Sequence, residues 1–231
     1  MVAMKIHPKT VLYFSITIIV IYWLYQIFLA TIHKNIQSSF SEFATRIAIA
    51  KSIQFVSIIL LLRLDRVKCQ EIGFSLENWK KQLFVGLIFG LIMFLVFNIG
   101  LNNVMGYIFP KPANSGSINA YFSEPSNLYI WLVIGIFGGG FVEELMRIFM
   151  LTRFQKCFGK PGLYIALACT SIVFGFGHLY QGTGTAISTG ISGLFLGVFY
   201  LKRKSAIEVI TIHAFSDVLA ILGAYQLYGN H

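Results

Sequence analysis

Long apolar segments recur along almost the whole of this 231-residue chain and constrain its fold more than any other feature. A helix needs about 20 predominantly apolar residues to cross the hydrocarbon core of a bilayer. Seven segments meet that requirement: 11–31, 44–62, 83–101, 128–152, 162–180, 184–201 and 205–227. Only 12% of the residues are charged, against about 25% in a typical soluble domain. The sequence predicts an all-α, polytopic transmembrane helical bundle of seven spans, with eight as the alternative count.

The first apolar segment, 11–31, could be taken for a secretory signal. Its apolar run is longer than the roughly 7–15 residues of such signals, and no A-x-A cleavage site follows it. We therefore expect it to remain as a span. Residues 1–231 are interpreted as a single integral membrane domain.

The net charge of +9 comes mostly from basic residues in the short loops between the spans. Thirteen of the 18 Lys and Arg residues fall on one predicted side, and Arg147 stays inside a span. The opposite side receives only Lys34, Arg46, Lys51 and Lys111. Because cytoplasmic loops are enriched in Lys and Arg, the N-terminus is expected in the cytoplasm, and nucleic-acid binding is not predicted. The charge bias and the small size suggest a bacterial plasma membrane.

Charged and imidazole side chains inside three late spans give the strongest functional signal. They are Glu143, Glu144 and Arg147 in the fourth span, His178 at the end of the fifth, and His213 and Asp217 in the seventh. Burying such groups in lipid is costly, so they usually line a cavity and pair with one another. At about 1.5 Å of rise per residue, Glu143, His178 and Asp217 lie roughly 20 to 25 Å from the cytoplasmic ends of their spans. We expect the three helices to bring these groups to one buried site.

The chemistry of these groups fits the hydrolysis of a peptide bond. Carboxylates and imidazoles can supply a base that activates water and donors that stabilise an oxyanion. Gly138, Gly139 and Gly140 directly precede the glutamates. Three glycines lower helix stability, so they predict either close helix packing or a local break beside the site.

These motifs resemble those of a known family. The order Glu-Glu…Arg, Phe-x-x-x-His and His-x-x-x-Asp over 143–217 is similar to that of the CPBP (Abi) family, which includes the type II CAAX prenyl endopeptidases. The resemblance implies an intramembrane glutamate peptidase with a catalytic core over about 128–227. It implies that one glutamate of the pair, helped by His178, activates water. His213 and Asp217 would then stabilise the oxyanion.

Two positions depart from the common family pattern. Arg147 comes one residue early for E-E-x-x-x-R, four residues after Glu143 and three after Glu144. Either glutamate can therefore be the base and the other the partner of Arg147, with Glu143 as our first choice for the base. Asp217 stands where Asn is common, and an ionised Asp only accepts hydrogen bonds. It must be protonated to donate, or else it orients His213.

A cofactor is not required for this chemistry. The alternative is a divalent metal such as zinc, with His178, His213 and Glu143 as ligands, and the family has been called a metallopeptidase on that basis. The H-E-x-x-H spacing of zinc peptidases is absent, and the three cysteines lack metal-ligand spacing. We favour metal-independent catalysis by a glutamate.

Three functions are compatible with a polar site inside the membrane. The first is an endopeptidase whose partners are membrane lipid and a peptide or membrane-protein substrate, either prenylated or otherwise hydrophobic. The second is a non-catalytic immunity protein that binds a peptide toxin such as a bacteriocin. The third is a transporter with Glu143, Glu144 and His178 as a proton relay, but no second broken helix matches Gly138–Gly140. We favour the peptidase.

Overall fold

The structure, a computed structural model, consists of helices and their connections in the part of the chain that it describes. That part comprises residues 39–109, 121, 122 and 124–229, with Thr10, Tyr13, Phe14, Ile16, Thr17, Val20, Ile21, Leu24 and Tyr25. Five of its helices are long and apolar enough to cross a membrane. They are α1 (Phe40–Leu64), α2 (Trp79–Ile108), α3 (Pro125–Phe176), α4 (Thr183–Arg203) and α5 (Ala206–Tyr228). The predicted all-α membrane fold is confirmed.

Helix α3 reverses its direction at Gly159, where φ is 66° and ψ is −149°. Glycine adopts a positive φ readily, and Pro161, two residues later, lacks the N–H that would continue the first helix. The Phe174 ring lies 4.9 Å from the guanidinium of Arg147. In a straight helix these two residues would be about 40 Å apart. Helix α3 therefore forms two antiparallel arms, 125–158 and 160–176.

The two arms of α3 and the other four helices correspond to six of the seven predicted spans. The remaining predicted span, 11–31, falls largely outside the described residues, so the count of seven or eight is seen only in part. One described position of that segment, Tyr13, has its ring 6.3 Å from the ring of Phe158. This contact places Tyr13 beside the corner of α3.

Large apolar side chains cover the outside of the helices. On α2, Phe84 is 63% exposed, Leu95 is 50% exposed and Ile108 is 59% exposed. Soluble proteins rarely expose continuous apolar surfaces of this extent, whereas lipid covers them at no cost. The surface and the apolar helices together identify the chain as an integral membrane protein.

Capping side chains and small residues determine where the helices begin and how closely they pack. The Ser39 hydroxyl accepts a hydrogen bond from the backbone N–H of Glu42 and starts α1, and Ser205 starts α5 in the same way. Between α3 and α5, a Cβ atom on Gly140 would lie 2.4 Å from the Ala214 Cβ. Small residues hold helices together in lipid because they allow this close approach. The contact brings α5 against the glutamates of α3.

The segment of α3 before the glutamates, Ile134–Glu143, is a π-helix. The predicted close packing at the three glycines is present, and the helix continues through them with wider turns instead of breaking. Such π-helical segments occur frequently at functional sites. This one ends at Glu143, so the two adjacent glutamates lie at the junction between π-helical and α-helical backbone.

Candidate active site

Glu144 is held on both of its carboxylate oxygens. Arg147 donates from Nε to Oε2 at 2.9 Å and from Nη2 to Oε1 at 3.2 Å. Nδ1 of His213 lies 2.9 Å from Oε1, and Arg147 also donates from Nη1 to the Gly193 carbonyl at 2.9 Å. The Glu144 side chain is 0% exposed. This bidentate ion pair therefore links α3 to α4 and α5 and leaves Glu144 no free oxygen.

Glu143 instead faces a cavity. Its Oε1 accepts a hydrogen bond from Nζ of Lys51 on α1, and its Oε2 lies 4.0 Å from Nε2 of His213. The cavity has a volume of about 110 Å³ and is lined by α1, by both arms of α3 and by His178. It has room for several water molecules. Glu143 is thus the glutamate of the pair that a water molecule can reach.

His178 lies at the same cavity, just beyond the second arm of α3. Its Nδ1 is 2.9 Å from the Phe174 carbonyl oxygen. Because a carbonyl only accepts, Nδ1 carries a proton, and when the ring is neutral Nε2 holds a lone pair. The ring of Tyr180 stacks on His178 at 6.2 Å, and burial raises the pKa of Tyr180 to about 12. The phenol therefore stays protonated beside the imidazole.

His213 has carboxylates beside both of its ring nitrogens. Glu144 holds Nδ1, while Nε2 lies 3.6 Å from Oδ2 of Asp217 and 4.0 Å from Oε2 of Glu143. When His213 carries a proton on each nitrogen, it presents an N–H group to the carboxylates on both sides of its ring. Its Nε2–H is then a donor that lies 4.0 Å from Oε2 of Glu143. Asp217 therefore lies within ion-pair distance of His213 but beyond hydrogen-bond distance.

The structure brings together all six residues that the sequence singled out. Of the two open pairings, Arg147 binds Glu144 and leaves Glu143 at the cavity. Lys51 was missed, because it was counted with the basic residues of the outer side. The structure corrects that placement, since Lys51 lies within α1 and contacts Glu143. Its position inside the predicted span 44–62 was the signal that could have found it.

The glycines before Glu143 make room for different parts of the site. A Cβ atom on Gly139 would lie 2.4 Å from Oδ2 of Asp217 and 3.5 Å from Nε2 of His213. A Cβ atom on Gly138 would lie 3.4 Å from Cγ of Lys51, which is close to an ordinary contact. Of Gly138 and Gly139, only Gly139 leaves room for Asp217.

We expect Gly139→Ala to reduce peptide cleavage far more than its neighbour Gly138→Ala. The added methyl group must displace Asp217 and disturb His213, and misplacing a reacting group by about 1 Å can cost on the order of 100-fold in rate. Initial cleavage rates of the two purified variants would test this, with unfolding temperatures as the control for folding. Equal rates would show that the Asp217 position does not matter for activity.

The predicted alternative metal ligands are already engaged with protein groups. The Lys51 ammonium binds Glu143, the Phe174 carbonyl holds Nδ1 of His178, and Glu144 holds Nδ1 of His213. Among the described residues, no group of three or more His, Cys, Asp or Glu side chains is arranged to hold a metal ion. Partners at Nδ1 are compatible with a metal ion at Nε2, so the feature that distinguishes this site is the Lys51 ammonium, which lies where a cation would contact Glu143.

The fold and the site define a membrane protein with a buried cluster of acidic and imidazole groups. A family model described as Type II CAAX prenyl endopeptidase Rce1-like matches residues 125–219, which span α3, α4 and the site residues of α5. Over this part the chain is similar to the CAAX protease family, and the resemblance predicted from the motifs is confirmed. A search of curated proteins and a search of solved structures each found no significant match.

Proposed function

We propose that this protein is an intramembrane endopeptidase in which Glu143 activates the water that hydrolyses a peptide bond. The observation that carries the proposal is the difference between the two glutamates. Both oxygens of Glu144 are bound, whereas Glu143 lines a cavity that it shares with His178. The family match over residues 125–219 supports peptide hydrolysis as the reaction.

The proposed reaction uses one water molecule and one proton acceptor. Glu143 takes a proton from the water as the water oxygen attacks the scissile carbonyl carbon, and Nε2 of His178 accepts the second hydrogen bond of that water. The oxyanion that forms accepts a hydrogen bond from Nε2–H of His213. Glu143 then passes its proton to the amide nitrogen as the C–N bond breaks. The products are a new carboxyl group and a new amine.

The position of the site supports a substrate that is associated with the membrane. Lys51, which contacts Glu143, lies roughly 17 Å along α1 from Phe40, well inside a span. The cavity volume of about 110 Å³ is below the roughly 300–1,000 Å³ of small-molecule sites. It therefore admits the reacting groups, while the rest of a hydrophobic or prenylated peptide lies against the helices and the lipid. We place the protein in a bacterial plasma membrane with its N-terminus in the cytoplasm.

Comparative peptidomics tests this function and identifies the substrate in the same experiment. Cells that carry the native protein are compared with cells that carry Glu143→Gln at the same level. The proposal predicts peptides whose ends appear only with the native protein. Identical peptide populations under conditions where the protein is expressed and inserted would contradict it. A binding-only immunity protein would differ in another way, because its protection against a toxin would survive Glu143→Gln.

Metal removal separates glutamate catalysis from the zinc alternative. We expect the purified native chain to keep its full rate of peptide cleavage after exhaustive chelation, because the Lys51 ammonium supplies the cation at Glu143. Rates before and after dialysis against a chelator give the measurement, and a zinc peptidase serves as the positive control for chelation. Loss of activity that added zinc restores would contradict the metal-independent mechanism.

A further inference from the structure

Lys51 occupies a position where an ammonium group needs a partner within the protein. It lies roughly 17 Å from Phe40 and roughly 20 Å from Leu64 along α1, farther than a lysine side chain can extend. It therefore cannot reach water at either surface, as lysines near span ends do. An isolated charge at this depth is costly, and the side chain is only 22% exposed. The partner that it contacts is Oε1 of Glu143.

The path of the Lys51 side chain from α1 to Glu143 runs across Gly138. A Cβ atom on Gly138 would lie 3.4 Å from Cγ and 3.8 Å from Cδ of Lys51. The aliphatic part of Lys51 thus passes over this position of α3, at distances that are ordinary van der Waals contacts even for an added methyl group. The contact with Glu143 is therefore supported by packing as well as by charge.

The charges around Glu143 make Lys51 its main counter-ion. The titratable groups that face the cluster are Lys51 from α1, Glu143, Glu144 and Arg147 from α3, His178 after α3, and His213 and Asp217 from α5. Arg147 is held by Glu144, and the protonated ring of His213 lies between Glu144 and Asp217, so these two cations offset those two carboxylates and leave Lys51 for Glu143. The carboxylates of Glu144 and Asp217 are like charges, which disfavour a further ionised carboxylate nearby. Without Lys51, the protonated form of Glu143 would be favoured.

We propose that Lys51 is a positioning residue that keeps Glu143 ionised and holds its Oε1, so that Oε2 remains available to the water. This inference rests on the proposed function of Glu143 as the general base. A general base must be ionised to accept the proton of water. Lys51 acts through Glu143 and takes no part in the bond changes.

Infrared spectroscopy of the full chain in lipid nanodiscs tests the ionisation of Glu143 without any substrate. The samples are the native chain, Lys51→Met, Lys51→Arg and the double variant Lys51→Met/Glu143→Gln, all at neutral pH. We expect a protonated carboxyl band in Lys51→Met that is absent from the native chain and from Lys51→Arg. The double variant should lose that band, and the amide bands report on folding in each sample. A Lys51→Met spectrum without a band that depends on Glu143 would overturn the inference.

Cleavage as a function of pH gives the second readout. Lys51→Met should lower the rate at neutral pH by about 100-fold, the size of a typical general-base contribution, and the rate should recover as the pH is raised. Lys51→Arg should keep most of the native rate, and KM should change less than kcat. A loss of the same size at every pH would contradict the positioning role. A native chain that cleaves nothing would count against the proposed function alone, because the infrared result does not depend on cleavage.

Discussion

Glu143→Gln should reduce peptide cleavage by about 1,000-fold or more while lowering the unfolding temperature less than Glu144→Gln does, since the Lys51–Glu143 pair is partly exposed and the Arg147–Glu144 pair is not. Glutamine has the same shape and can still accept a hydrogen bond from Lys51, but it cannot take a proton from water. General-base catalysis contributes about 100- to 10,000-fold to a rate, so its removal should dominate the effect. Initial rates of the purified variant in lipid nanodiscs, compared with the native chain, would measure it.

Glu144→Gln is the matched control because it changes the adjacent residue in the same way. It removes the carboxylate that binds Arg147 on two atoms, so its first effect should be a lower unfolding temperature. The two variants should therefore separate a catalytic loss from a structural one. The opposite result, with a stable but inactive Glu144→Gln and an active Glu143→Gln, would assign the base to Glu144.

Arg147→Met should destabilise the folded protein by about 3–5 kcal/mol. The change leaves the Glu144 carboxylate buried at 0% exposure without its bidentate partner, and breaking a buried ion pair from one side costs an amount of this size. It also removes the hydrogen bond to the Gly193 carbonyl on α4. Unfolding of the native and variant chains in the same detergent would measure the loss.

The double variant Arg147→Met/Glu144→Gln checks the cause of that loss. It removes both charges, so it should be more stable than Arg147→Met alone, and a double-mutant cycle gives the coupling between the two residues. Glutamine can still accept a hydrogen bond from His213 through its side-chain oxygen. A double variant less stable than Arg147→Met would contradict the ion-pair explanation.

The membrane fold could be predicted from the sequence because the lipid imposes a length and a composition on each span. The apolar segments 128–152 and 162–180 became the two arms of α3, and the gap between them contains the Gly159 reversal. The site could also be located, because charged residues in apolar spans are rare. Three helices with such residues pointed to one buried cluster, and the structure shows that cluster.

The pairing within the site could not be predicted from the sequence. On an α-helix, residues three and four positions apart lie on the same face, so the spacing allowed Arg147 to bind either glutamate. The choice depends on tertiary contacts with the Gly193 carbonyl and with His213. Lys51 could have been singled out by its position inside the predicted span 44–62, but its partner, 92 residues away in the chain, could not be predicted.

The contacts of the three glycines could not be predicted from the sequence either. Their run predicted close packing or a break, but only the packed helices assign Gly138 to Lys51, Gly139 to Asp217 and Gly140 to Ala214. The π-helical turns of Ile134–Glu143 have no simple sequence signature either. The sequence shows only that small residues are present. The neighbouring helices determine which side chain each glycine accommodates.

Hydrolysis in water enriched in ¹⁸O shows whether Glu143 activates the water that attacks the peptide bond. The purified native chain in nanodiscs is incubated with a peptide identified by the peptidomic comparison, and the products are analysed by mass spectrometry. Water activated by Glu143 should place one heavy oxygen atom in the new carboxyl group, and Glu143→Gln should form no product above background. Equal product formation by the native chain and by Glu143→Gln would contradict the account.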